Sequence, residues 1–282
     1  MHEAVAQVLP ATQGPRSRYL VIGSSLILAF AFLALAGSAI APYDPTSQDL
    51  LALLERPSPA HWFGTDEIGR DIFSRILAGA RITMTIALVP VAIAGLLGVT
   101  IGMLAGYLGG KVDRALSALI ELMMTVPELV LAIAIVSVAG ASPMGLVVAI
   151  AASSTPRLAR LIRSRVRELR EEDYVSAAIV LGLPLRRILV FHLLPNALSV
   201  IIIQLSLLAG QAVLIGSALG FLGLGVQPPA PEWGSMLGAS RQYIEIAPHV
   251  VIAPGIAIAA LVFAFNTLGD GLRDRFDPNL KS

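Results

Sequence analysis

The 282-residue chain contains no cysteine, which excludes disulfides, thiolate metal sites and a cysteine nucleophile. Histidine is scarce: His2, His61, His192 and His249 are scattered, a pattern that argues against a hydrolase and suggests no metal cluster. Charge is thin as well, with 14% charged against 56% hydrophobic residues. A soluble domain of this length could not hide so much apolar surface, and the mean hydropathy of +0.78 marks a polytopic membrane protein. Lysine appears only as Lys111 and Lys281. A phosphate-binding loop is missing too. Its nearest approach, Gly109-Gly110-Lys111, has Ala105 where the pattern needs glycine and Val112 where it needs a hydroxyl. Any nucleotide hydrolysis therefore belongs to another chain.

What the sequence does have is long apolar runs, at residues 19–41, 82–108, 116–139, 144–161, 197–220 and 248–268. A hydrocarbon core of about 30 Å needs roughly 20 residues of helix, so these runs predict an all-α membrane bundle of six spans. The run at 144–161 is the weakest, because Arg157 and Arg160 sit near its end, where they are expected to snorkel into the interface. Residues 19–41 are longer than the apolar core of a cleavable signal and read as an uncleaved anchor, although Ala39 and Ala41 mimic a cleavage site. The expected organisation is a tail at 1–18, a first span at 19–41, an external segment at 42–81 and a core domain at 82–282.

Residues 157–196 interrupt the apolar pattern with eight arginines against four acids. An arginine at a helix centre costs about 2.5–3.5 kcal/mol on insertion scales, so this segment is expected at or beyond one membrane face. Placing it on one side with both termini and the loop at Lys111 and Arg114 gathers fifteen basic residues there and leaves five opposite. The positive-inside rule then puts both termini and the long loop in the cytoplasm. Arg157, Arg160, Arg163, Arg167 and Arg170 share one helix face that continues the fourth span outward. After Glu171-Glu172-Asp173 a short helix is predicted at 174–181, stopped by Gly182 and Pro184. Four glycines at strict fourfold spacing, Gly98, Gly102, Gly106 and Gly110, give the second span a bare ridge for close helix packing.

Tyr174, Ser176, Ala177, Ala178, Gly182, Leu194 and Pro195 carry a resemblance: their spacing is similar to the "EAA" signature of bacterial ABC importer permeases. The resemblance implies that this segment is a coupling helix seated in a groove of a cytoplasmic ATPase. Ser176 stands where the family usually has glutamate, so the salt bridge made by that glutamate is lost or replaced. Three further stretches narrow the likeness: HWFGTDEIGRDIFSRILAGAR (61–81), FLGLGVQPPAPEWGSML (221–237) and DGLRDRFDPNL (270–280). They resemble the C-type permease subunit of dipeptide, oligopeptide and nickel importers. This implies a type I permease fold in the bacterial plasma (inner) membrane and a B-type permease as heterodimer partner. It also implies one or two cytoplasmic ATPases that use ATP and Mg, and an external solute-binding protein. The chain itself is expected to bind no cofactor, metal or nucleic acid, and to contact membrane lipid.

Within the external segment, Thr65 and Asp66 are expected to cap a helix and Asp71 to pair with Arg70 or Arg75. Gly64, Asp66, Arg70 and Asp71 are candidates to receive the binding protein. Trp233, expected at the membrane interface, belongs to a candidate external gate. Polar residues inside spans usually face a bundle interior or wet cavity, which makes Glu121, Glu128, Gln204 and Gln211 candidates for the translocation path. Each pair is seven residues apart and is expected to share a helix face, and a carboxylate there could attract a cation or a peptide amino terminus. The alternative is an ion-coupled secondary transporter with Glu121 and Glu128 as its ion sites.

Overall fold

The computed structural model describes residues 16–276. The expected tail up to residue 15, and the chain end with Lys281, lie outside the described residues. Among these the regular structure is helical: α1 (Arg16–Ile40), α2 (Ile72–Leu108), α3 (Gly110–Met124), α4 (Glu128–Ala139), α5 (Pro143–Arg170), α6 (Asp173–Val180) and α7 (Leu185–Arg187). A π-helical turn, Ile188–Leu193, then leads into α8 (Leu194–Phe221), followed by α9 (Trp233–Ser240) and α10 (His249–Phe276). Five helical stretches are long and apolar enough to cross a membrane, and the pair α3 and α4 makes a sixth if counted as one bent span.

That pair departs from the expected continuous span at 116–139, because α3 and α4 meet at 90°. The cause is local. Thr125 closes the last turn of α3, and Pro127 cannot donate a backbone bond and pushes Val126 out of the helical region. The second span differs at its start: α2 begins at Ile72, ten residues before the apolar run. Asp71 caps it, its carboxylate accepting the Ser74 amide. At 37 residues, or about 55 Å, it outreaches the hydrocarbon core.

α2 and α5 form the most extensive helix pair. Gly98, Gly102 and Gly106 lie directly on Leu158, Ala159 and Arg163 of α5 or their neighbours, as the ridge predicts. Gly110 does not belong to it, since α2 stops at Leu108 and Gly109 and Gly110 take positive φ at the turn into α3. α1 lies outside this core and reaches α10 and α2 through Gly23 and Gly37, which rest on the backbones of Leu268 and Leu77.

Candidate functional site

Three places carry the residues singled out above. The first is the external segment. Of its polar side chains, Asp66, Arg70 and Asp71 are buried, with Gly64 beside them. Asp66, rather than Asp71, is the ion-pair partner, its Oδ2 lying 2.6 Å from Arg70 Nε and 3.5 Å from Arg75 Nε. Asp71 instead caps α2 through the Ser74 amide, and its Oδ1 lies 2.9 Å from His61 Nδ1. Thr65 does not cap a helix; its hydroxyl donates to Ala52 O and its Oγ1 accepts the Glu55 amide. Trp233 corrects another expectation. It is 1% exposed and donates its indole N–H to Ile76 O at 3.0 Å, over the gap left by Gly79. Its most open large apolar side chains are Leu51 and Trp62, among exposed polar groups that include Asp44, Asp49, Glu55 and Arg56.

The second place lies inside the bundle, where α4, α5 and α8 meet. Ser154 Oγ donates to Glu128 Oε1 at 2.7 Å, and Gln211 Nε2 donates to Glu128 Oε2. Arg157 Nη1 in turn donates to Gln211 Oε1 at 2.6 Å and stands 3.9 Å from Glu128 Oε2. Arg157 thus reaches sideways to Gln211 of α8, and the Glu128 carboxylate of α4 stands opposite its charge. Gln204, two turns before Gln211 on α8, lines a cavity of about 310 Å³ together with Arg157, Arg160 and Ser164. Arg157 thus links the cavity at Gln204 to the cluster at Gln211, whereas no hydrogen bond joins Glu121 to Glu128. The bend places Glu121, which is exposed, on the other arm, and it has no hydrogen bond to the Glu128 cluster. Ser154 and the inward role of Arg157 escape a reading by charge count. Their only sequence signal is the polar run Ser153-Ser154-Thr155-Pro156 just before Arg157. Among the described residues no group of three or more His, Asp or Glu could hold a metal ion.

The third place is α6. Glu172 lies before its first turn, and a Schellman motif ends it, with Gly182 N donating to Ile179 O and Leu183 N to Ala178 O. Gly182 at φ +70° supplies the left-handed residue that this motif requires. Val175 and Ala178 face inward, so Ala178 is a packing residue instead of part of an open docking face. Ser176 and Ala177 are exposed, Tyr174 is partly so, and Val180 and Leu181 are 87% and 77% exposed. Leu194 and Pro195 follow the π-helical turn against which α6 packs.

Five or six spans around an internal polar cluster, with a bare apolar helix end projecting from the bundle, define a membrane-embedded transport subunit. The family described as binding-protein-dependent transport system inner membrane component matches residues 98–282, and the chain belongs to it. It is 43% identical over 272 residues to a dipeptide transport system permease protein of Alkalihalophilus pseudofirmus, covering 95% of this chain and 88% of that one. A glutathione transport system permease protein of Pectobacterium atrosepticum is 43% identical over 258 residues, covering 91% and 85%. A di/tripeptide transport system permease protein of Pseudomonas aeruginosa is 42% identical over 266 residues, covering 92% and 88%.

Proposed function

We propose that the chain forms half of the translocation pathway of an ATP-driven importer for di- and oligopeptides or chemically similar solutes such as glutathione. Its partners are a B-type permease, one or two ATPases that bind ATP and Mg on the cytoplasmic side, and an external solute-binding protein. The observation that carries this reading is the α6 tip. Large apolar side chains left open outside the membrane mark a protein contact, and those of Val180 and Leu181 lie a few residues before Arg186 and Arg187, on the side expected to be cytoplasmic. The relatives named for dipeptide and glutathione transport supply the substrate class.

In this reading the motor moves α6 when its ATPase dimer closes. α6 packs on the π-helical turn and on α5, and that turn runs directly into α8. A push on α6 therefore reaches α5 and α8, the two helices that supply Ser154, Arg157 and Gln211 to the internal cluster. These residues, with Glu128 and Gln204, line the path, and the bundle alternates between two packings that the motor biases. On the opposite face, Leu51, Trp62 and the segment braced by Asp66, Arg70 and Asp71 receive the binding protein.

An ion-coupled carrier built on Glu121 and Glu128 fits the geometry less well. The two carboxylates are on different arms of the bend, and Glu128 is already engaged by Ser154 and Gln211. The deciding experiment is co-purification from native membranes in mild detergent, with mass spectrometry and an ATPase assay. A B-type permease, an ATPase and a binding protein travelling with the chain support the proposal. A chain that purifies alone and moves solute on an ion gradient overturns it.

A further inference from the structure

We infer that Arg157, with Arg160 one turn further along α5, forms a carboxylate-binding subsite on the transport pathway that takes the C-terminal carboxylate of a peptide in transit. This rests on the peptide-importer reading and adds to it the chemical group that is recognised and the residue that recognises it.

Depth comes first. Arg157 stands fourteen residues after Pro143, the first residue of α5, or about 21 Å along the helix at 1.5 Å per residue. In a core of about 30 Å such a charge needs a partner or water. The structure gives it partners. Nη1 is bonded to Gln211 and faces Glu128, while the side chain as a whole is 54% exposed and is among those that line the cavity. A guanidinium has five N–H donors, and among the described residues only the Nη1 group of Arg157 is hydrogen-bonded.

The two charges of the cluster are not equivalent. Glu128 is the inner one, 19% exposed, with one oxygen on Ser154 and the other on Gln211. Arg157 is the outer one, with donors to spare. Arg160 lines the same cavity and has no ion pair among the described residues, and Ser164 and Gln204 add polar groups. The open surface therefore favours an anion, the reverse of the cation preference expected from Glu128 alone. A carboxylate suits it because the guanidinium fork can grip both oxygens. Glu128 and Gln211 act as positioning residues that hold the fork toward the cavity.

The test uses the assembled importer in detergent, without binding protein, and equilibrium binding of labelled alanyl-alanine and of alanyl-alanine amide. The wild type is expected to prefer the free acid by tenfold or more, the size of a charge-assisted hydrogen bond. Arg157→Gln should erase that preference by weakening the acid alone, Arg157→Lys should keep part of it, and Glu128→Gln should reduce it. Basal ATPase activity and elution volume report intact assembly. Equal binding of acid and amide by the wild type, no binding of either, or undiminished preference in Arg157→Gln each overturns the subsite. Peptide uptake by proteoliposomes of the wild type with its binding protein separates the two levels. Uptake without acid preference at the permease defeats the subsite alone, and no uptake of any peptide defeats the importer reading beneath it.

Discussion

A Cβ placed on Gly102 would lie 2.6 Å from the carbonyl oxygen of Ala159, so α2 and α5 touch there through backbone. In a membrane, where lipid is as apolar as the side chains, such close backbone approach is a main source of helix association. Gly102→Leu is expected to destabilise the assembled protein by about 1–3 kcal/mol, the usual range for overpacking. Gly98→Ala should cost less, since its contact at 3.0 Å is to the side chain of Leu158. Thermal melting of the purified complex measures both, and equal melting of Gly102→Leu and wild type would show that the helices part without cost.

Asp113 ties the start of α3 to the C-terminal part of α5. Its carboxylate is buried and takes both Arg163 Nε and Arg163 Nη2, the latter at 2.9 Å, with Arg167 Nη2 at 3.0 Å. Removing one member of a buried pair leaves the other charge uncompensated. Asp113→Ala is expected to cost about 2 kcal/mol, less than a fully buried pair because Arg163 keeps some contact with solvent. A double-mutant cycle with Arg163→Ala checks the assignment. Additive losses would mean that the pair contributes nothing beyond its separate residues.

Most spans were legible because a hydrocarbon core demands apolar runs of one length, and α1, α5, α8 and α10 each cover theirs to within a residue. The α6 helix was legible for a different reason, since acids at its start and Gly182 and Pro184 at its end are local signals. Three features were not. The 90° bend at Thr125 to Pro127 looks from sequence like an ordinary proline kink, and its angle is set by packing of α4 on α5. Arg157 reads as loop because charge counting assumes an unpartnered arginine, and its partner Gln211 lies 54 residues away. Trp233 reads as an interfacial side chain, but the gap that buries it is made by Gly79 on another helix. Each miss concerns a contact between distant segments, which periodicity and composition do not encode.

Glu232 gives a pH dependence with a definite sign. It is 2% exposed and caps α9, accepting the Gly234 amide at 2.8 Å and the Ser235 amide at 2.7 Å. Burial pushes its carboxyl up from the ordinary range, against the opposing pull of those amides. A raised folded value means that the folded protein holds this proton more tightly than the unfolded chain does. The stabilisation is therefore full below the unfolded value and is lost as pH rises through the folded one. Glu232→Gln is expected to remove this contribution. Melting of wild type and variant between about pH 4 and pH 8 should show a slope in the first that the second lacks. Parallel curves would remove Glu232 as the source.

The α6 tip allows the motor contact to be tested apart from folding. Val180 and Leu181 are largely exposed, so a charge there disturbs little within the chain. Ala178 does not offer such a test, because it is packed inward and its replacement would damage α6 itself. Desolvating one aliphatic side chain at a contact is worth about 1.5–2 kcal/mol, or roughly tenfold to thirtyfold in affinity. Val180→Asp should therefore weaken ATPase binding by about that factor and depress uptake, with normal membrane insertion and an unchanged melting profile of the permease chain. Ser176→Glu, on the exposed face of the same helix, should be tolerated, since it restores the residue type usual in the signature. Uptake and pull-down of the ATPase with each variant decide the matter. If Val180→Asp binds the ATPase as wild type does, the motor docks elsewhere on the chain, and α6 owes its exposed tip to some other contact.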